Sequence, residues 1–351
     1  MSTPNIRRIR PLTVARTFAA LTAVLATAVV ASGCGSEDSA SGASGGQTIR
    51  YQSSAGGVSP IELADHLGYL KPLKIKSVGV TISGPQDIQS AATNQTDIGG
   101  AFNGAVIKLI QAGAPIKSVI SYYGSDAKTF QGFYVKDGSP IRTARDLIGK
   151  KVGMNTLGAH AEAILQTWLR KNGLSDSEVK QVQEVVIPPV NTEQALRAGQ
   201  IDVGVLGGVL QDKAVARGGL RRLFSDYDLF GAFDAGTYVL RKQFIEQNPE
   251  TAKTLVSGIA KAIVWLQTHP RDEVVRTVTE VAKAHGRPED AAVLKYWKSP
   301  GIAAKGGVVQ PGEIQRWITW LEASSQIPKG SVKAADAYTN EFNSLAPAAS
   351  R

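Results

Sequence analysis

The sequence predicts an α/β protein of two similar lobes followed by a helical tail, and three observations carry that prediction. The first is an internal repeat. The segment QSAATNQTDIG (89–99) aligns with QALRAGQIDVG (194–204) at an offset of 105 residues, placing Gln89, Gln95, Asp97 and Gly99 on Gln194, Gln200, Asp202 and Gly204. The same offset carries Val80 onto Val185, Ile82 onto Ile187 and Gly113 onto Gly218. The second is that each copy alternates short β-branched runs with helical stretches, the pattern of parallel sheets covered on both faces. The third is a change of period after Arg241, where apolar residues recur at spacings of three and four.

Each copy reads in the same order. A first strand (IRYQ; KVGMN) enters a Gly/Ser/Thr turn and then a helix, expected over 60–68 and 159–171. A second strand (VGVTI; EVVI) leads to a helix over 88–94 or 193–198, and a third strand (TDIGG; IDVGV) enters another turn and helix. Lys171-Asn172-Gly173 supplies a helix stop. In the tail, Asn248-Pro249-Glu250 starts a helix that runs to 267, with Ala252, Leu255, Ile259, Ile263 and Leu266 on one face. Further helices are expected over 273–284, 290–297 and 313–324; Trp317 and Trp320 on the last are predicted to pack between helices.

Before the repeat stands a segment with a different purpose. Arg7, Arg8 and Arg10 precede an apolar run over 18–30 that ends in Ala31-Ser32-Gly33-Cys34. A basic start, a short apolar stretch and small residues at a cleavage point make an export signal over 1–33. The run is shorter than the roughly 20 apolar residues that span a bilayer. Small residues directly before a cysteine resemble the bacterial lipoprotein box, which implies lipid on Cys34 and anchoring at the outer face of the cytoplasmic membrane. The Arg7-Arg8 pair leaves general secretory and twin-arginine export both open. Residues 34–46, rich in Ser and Gly, read as a flexible tether.

Composition narrows the function classes. The net charge is +9 over 351 residues; four arginines that precede Cys34 account for four of it, leaving +5 on the exported chain. Lysines and arginines are scattered, without a basic run interleaved with aromatics, so nucleic acid is not an expected partner. One cysteine excludes an intramolecular disulfide and multi-cysteine metal sites, and the four histidines never fall at ligand spacing, so neither metal nor cofactor is expected. No nucleophile elbow, phosphate loop or HExxH motif occurs, and no catalytic residue is assigned.

The run KTFQGFYVKDGSPIRTARDLIGKKVGMNTLGAHAEAILQTWLRKNGL, with ADHLGYLK (64–71) and GQIDVG (199–204), resembles solute-binding proteins of ABC importers. The nearest group is the sulfonate, taurine and nitrate binders, together with the binders of thiamine-precursor pyrimidines. The resemblance implies a type II periplasmic-binding-protein fold, two α/β lobes joined by a two-crossing hinge, with extra C-terminal helices. Lobe 1 would be 47–134 with 239–345 and lobe 2 would be 135–238, the crossings lying near 133–135 and 236–240. It further implies a monomer that delivers a small anionic solute, foremost an aliphatic sulfonate, to a permease and its ATPase. Nitrate, taurine, a pyrimidine, or a ligand sensor without transport remain the alternatives. An enzyme is not expected, because the pyrimidine synthases of this fold carry a cysteine-rich motif that is absent here.

In open parallel sheets ligands sit beyond the carboxyl ends of the strands, where helix N-termini favour anions. That rule selects Ser53, Ser54 and Gly57 in the first turn, Gln86 after the second strand and Asn103 after the third. From lobe 2 it selects Thr156 and His160, which flank Gly158 where the family binds ligand, and also Asn191 and Gly207. His160 is expected to donate an N–H to an anionic oxygen, and Tyr123 to wall the cleft. Asp234 is left with two roles, pairing with a ligand amine or stabilising the hinge. Gly99-Gly100 is read as a backbone requirement.

Overall fold

The repeat governs the architecture. In the computed structural model, which describes residues 46–348, the first copy is divided between a two-stranded and a three-stranded sheet and the second copy builds one five-stranded sheet. The predicted export signal, Cys34 and nearly all of the tether lie outside the described residues. The first copy runs β1 (Thr48–Ser54), α1 (Pro60–His66), β2 (Lys74–Thr81), α2 (Gly84–Ala92), β3 (Ile98–Phe102), α3 (Asn103–Gln111) and β4 (Ile116–Ser125). The chain then crosses into β5 (Gln131–Lys136) and the second copy. That copy comprises β6 (Lys151–Met154), α4 (His160–Lys171), α5 (Asp176–Val179), β7 (Gln183–Val186), α6 (Pro189–Arg197), β8 (Val203–Gly207), α7 (Gly208–Ala216), β9 (Leu220–Ser225) and α8 (Asp226–Phe230). It returns through β10 (Phe233–Arg241) into the tail: α9 (Lys242–Gln247), α10 (Pro249–Thr268), α11 (Arg271–Ala284), α12 (Pro288–Val293), α13 (Pro311–Ala323) and α14 (Ala334–Ala337).

Three successive elements keep the 105-residue offset residue for residue: α2 and α6, β3 and β8, α3 and α7. The repeated aspartate explains why. Asp97 Oδ2 accepts the backbone N–H of Arg50 at 2.8 Å while Asp97 N donates to Arg50 O at 2.9 Å, which ties β3 to β1. Asp202 does the same to Lys151, with distances of 2.8 Å and 2.9 Å. Burial pushes the Asp97 carboxyl up, but the hydrogen bonds and charge of Arg50, with Arg241 behind, hold it below the ordinary value. The repeated glycine has an equally local cause: a Cβ on Gly99 would stand 2.5 Å from Asp87 O in α2. Gly204 faces α6 in the same way, with Leu196 Cδ2 at 3.2 Å.

The sheets are mixed, which corrects the expectation of purely parallel ones. β1–β2, β6–β7 and β6–β8 are parallel, but β5 pairs antiparallel with β8 and β9, and β10 pairs antiparallel with β3 and β4. The strand orders are β1-β2, β3-β10-β4 and β7-β6-β8-β5-β9. Each of β5 and β10 arrives from the other lobe, so its direction is set by the crossing and not by a local βαβ turn. Sheet membership changes across residues 126–130 and 226–232.

The tail covers the first sheet. The predicted face of α10 is buried throughout, with Ala252, Leu255, Ile259 and Ile263 all fully enclosed. Each fully buried aliphatic side chain of this kind contributes about 1.5–3 kcal/mol. Helix α2 begins at Gly84, earlier than the expected 88, because its first turn is polar and shows no apolar period. The segment expected as one helix over 290–297 is α12 followed by a 3₁₀ turn, Leu294–Tyr296. Among the described residues, no helix is long and apolar enough to cross a membrane.

Candidate functional site

The carboxyl ends of six strands open on one cleft of about 510 Å³. Ser54, Thr81 and Phe102 bring the ends of β1, β2 and β3; Asn155, Pro189 and Gly207 bring the ends of β6, β7 and β8. The first turns of α1, α2, α4, α6 and α7 therefore meet the same space, while α3 contributes only its N-cap, Phe102. The N-caps of α2, α4, α6 and α7 make no side-chain capping hydrogen bond, although Pro85 and Pro189 each remove one backbone donor from α2 and α6. Each such helix end carries a partial positive charge of roughly half a unit. Among the described residues, no lysine or arginine lines the cleft.

Of the residues selected from sequence, Ser54, Gly57, Tyr123, Thr156, His160 and Gly207 line the cleft, and Ser53, Gln86, Asn103 and Asn191 do not. Strand alternation turns Ser53 into the protein, where its Oγ donates to Gly79 O at 3.2 Å. Gln86 and Asn191 are exposed in the first turns of α2 and α6, beside the lining residues Gly84 and Pro189. Asn103 is buried and its Nδ2 donates to Asp234 O in β10 at 3.3 Å. Asp234, near the start of β10, does not line the cleft, and its Oδ1 accepts from Ala303 N at 2.7 Å.

His160 lines the cleft from within a cluster of aromatic rings. It is buried, stacked on Phe102 at 5.3 Å, with Tyr123 and Phe233 against its other sides. Its Nε2 lies 3.3 Å from Asp226 Oδ2, a close approach without good hydrogen-bond alignment. Burial lowers its pKa to about 3, which keeps the imidazole neutral. Thr156 Oγ1 meets Ser83 Oγ from the other lobe at 3.2 Å, and Asn155 Nδ2 donates to Ile82 O at 3.0 Å.

Two carboxylates in the lining were missed. Asp87, in the first turn of α2, accepts from Gly100 N at 2.7 Å through Oδ2, and its Oδ1 has no protein partner. Burial raises it to about 7. Asp226 opens α8, and its Oδ1 accepts from Gln131 N and Tyr227 N at 2.9 and 2.7 Å. Burial raises it to about 6. The signals were present: Gly84-Pro85 is a helix start that places Asp87 in a first turn, and Ser225 with Asp228 three residues on reads as an N-cap. Tyr122 and Tyr238, stacked at 4.1 Å, complete the floor, and burial drives both hydroxyls far above their ordinary value.

This arrangement, the strand ends of both repeat copies facing one cleft across a double crossing, has relatives. A family model described as NMT1/THI5 like matches residues 57–273. The chain belongs to the NMT1/THI5-like family. A search of curated protein sequences finds no match. Among solved structures, the alkanesulfonate-binding protein SsuA from Xanthomonas axonopodis pv. citri, bound to MOPS, is 21% identical with a TM-score of 0.64, covering 83% of this chain and 97% of its own. The periplasmic nitrate-binding protein NrtA from Synechocystis PCC 6803 is 12% identical with a TM-score of 0.65, covering 85% and 87%. The desulfurization enzyme DSZB is 16% identical with a TM-score of 0.57, covering 84% and 97%. At these identities the likeness is one of fold: this family member has the fold of periplasmic solute-binding proteins, which an enzyme also uses.

Proposed function

We propose that this protein is the solute-binding lipoprotein of an ABC importer, closing two lobes on a small organic anion and presenting it to a permease powered by an ATPase. Five helix N-termini converging on one cleft that, among the described residues, is lined by no lysine or arginine carry the reading. They stabilise an anionic head without the desolvation cost of a buried ammonium or guanidinium. The aromatic floor suits an apolar body behind that head, which favours an aliphatic sulfonate over nitrate. The two lobes move as rigid bodies about the crossings at 126–130 and 226–232, where the chain changes sheets. The chain acts as a binder, as the sulfonate-binding and nitrate-binding proteins of the same fold do. It works as a monomer outside the cytoplasmic membrane, held by lipid on Cys34; mass measurement of the N-terminal peptide is expected to find acyl chains on that cysteine, and a free thiol there sinks the anchor.

A second reading is favoured by Asp87 and Asp226. Two buried carboxylates with unpartnered oxygens can accept hydrogen bonds from the nitrogens of a neutral heterocycle such as a pyrimidine. Thermal-shift and calorimetric titration of the chain from Cys34 against alkanesulfonates, MOPS, taurine, nitrate and pyrimidines separates the two. Solute at about 100 times its dissociation constant adds about 2.7 kcal/mol of stability. Sulfonates are expected to produce that gain. A response to pyrimidines alone replaces the anion reading by the second one, and silence from the whole panel ends both.

A further inference from the structure

Residues 287–303 form a strap that touches both lobes and both crossings. At its start, Arg287 donates to Ser54 O and Gly57 O at 3.2 and 2.9 Å and to Glu62 Oε1 at 2.8 Å. Asp290 Oδ1 accepts from Gly56 N at 2.8 Å, so the first cleft turn hangs from the strap. Arg271 holds its middle through the carbonyls of Trp297 and Lys295, at 2.8 and 2.5 Å. Ser299 then reaches the first crossing, donating to Asp126 Oδ2 at 2.5 Å and accepting from Thr129 Oγ1 at 3.1 Å. Ala303 reaches the second, through Asp234.

Between these anchors Lys298 Nζ stands 2.6 Å from Asp212 Oδ1 on α7 of the other lobe. Among the ion pairs of the described residues, this one alone joins 135–238 to the rest of the chain. Asp212 is 3% exposed and Lys298 49% exposed, so the carboxylate is the desolvated partner. Neither residue lines the cleft. On the opposite rim, among the hydrogen bonds of the described residues, Ser83–Thr156 and Ile82–Asn155 join the lobes, and all four of these residues line the cleft.

We infer that Lys298 and Asp212 are positioning residues for solute capture, a clasp outside the cleft that holds the lobes closed without touching the solute. The consequence for capture rests on the proposed function, but the clasp itself is testable with no solute present. Lys298→Met leaves a buried carboxylate unpaired in the closed arrangement only, so it favours opening. Adding Asp212→Asn removes that orphan charge and restores closure in part. Spin labels at Gln86 and Asn191, both exposed at the cleft edges, report the separation of the lobes in a chain carrying Cys34→Ser. In the solute-free protein, pulsed electron resonance is expected to show a short-distance population. Lys298→Met is expected to lower the closed-to-open ratio about tenfold. The double variant should recover most of the loss, which a merely structural role for Lys298 would not produce. A wild-type distribution without the short population, an unchanged ratio in Lys298→Met, or a double variant as open as the single one overturns the clasp. None of these outcomes bears on whether sulfonates bind.

Discussion

Replacing Trp317 with alanine is expected to cost about 3–5 kcal/mol of stability, the range for emptying a large aromatic site in a packed core. Trp317 on α13 is fully enclosed and does not line the cleft. It meets Phe102 edge-on at 4.5 Å, Phe230 at 5.7 Å and Trp320 at 6.0 Å. Each such pair adds about 0.5–1.5 kcal/mol beyond the area it buries. The loss is not confined to one helix. Phe102 stacks on His160 of the second lobe, and Phe230 and Phe233 flank the return crossing, so the ring supports the aromatic column that joins the lobes. Denaturant unfolding of the chain from Cys34 measures the loss. A cost below about 1 kcal/mol would mean the site collapses without penalty and the column is not a support.

What could be read from the residues follows from how local their causes are. Asp97 and Asp202 each bridge two strand backbones, and Gly99 and Gly204 each admit a helix at close range. Such requirements are met by one or two residue types, so they survive as a visible repeat. The face of α10 was equally legible, because burial against one sheet imposes a 3.6-residue period. The direction of β5 and β10 was not, since it depends on which lobe the chain comes from. The site divides along the same line. Turn positions such as Ser54, Thr156 and Gly207 could be picked from strand ends, whereas Ser53, Gln86, Asn103 and Asn191 lie in the same turns and point elsewhere. Which side of a turn meets the cleft is decided by strand parity and by the opposite lobe. His160 was selected for its polarity, yet Phe102, Tyr123 and Phe233 make it part of a packed column.

Between pH 5 and pH 8, sulfonate affinity is expected to fall by one to two orders of magnitude. The titratable groups of the lining are Asp87, Asp226, His160 and the tyrosines Tyr122, Tyr123 and Tyr238. His160, at about 3, is neutral throughout, and burial keeps the three hydroxyls protonated. Only Asp226, near 6, and Asp87, near 7, change charge in this window. Below it both are neutral acids that leave the helix N-termini unopposed. Above it each places a negative charge beside the bound head; two unit charges about 7 Å apart at an effective dielectric of about 20 repel by about 2.4 kcal/mol. In the solute-free protein the same raised values mean the native state holds more protons than the unfolded chain, so this contribution to stability falls as pH rises from about 4 to about 7. Sulfonates do not titrate here, so the slope belongs to the protein. Binding at pH 6.5 should take up protons, visible in calorimetry as heats that differ between buffers of unlike ionisation enthalpy. A neutral heterocycle that donates hydrogen bonds to the two carboxylates reverses both signs: affinity rises with pH and protons are released. A flat profile without proton exchange would remove Asp87 and Asp226 from the site under either reading.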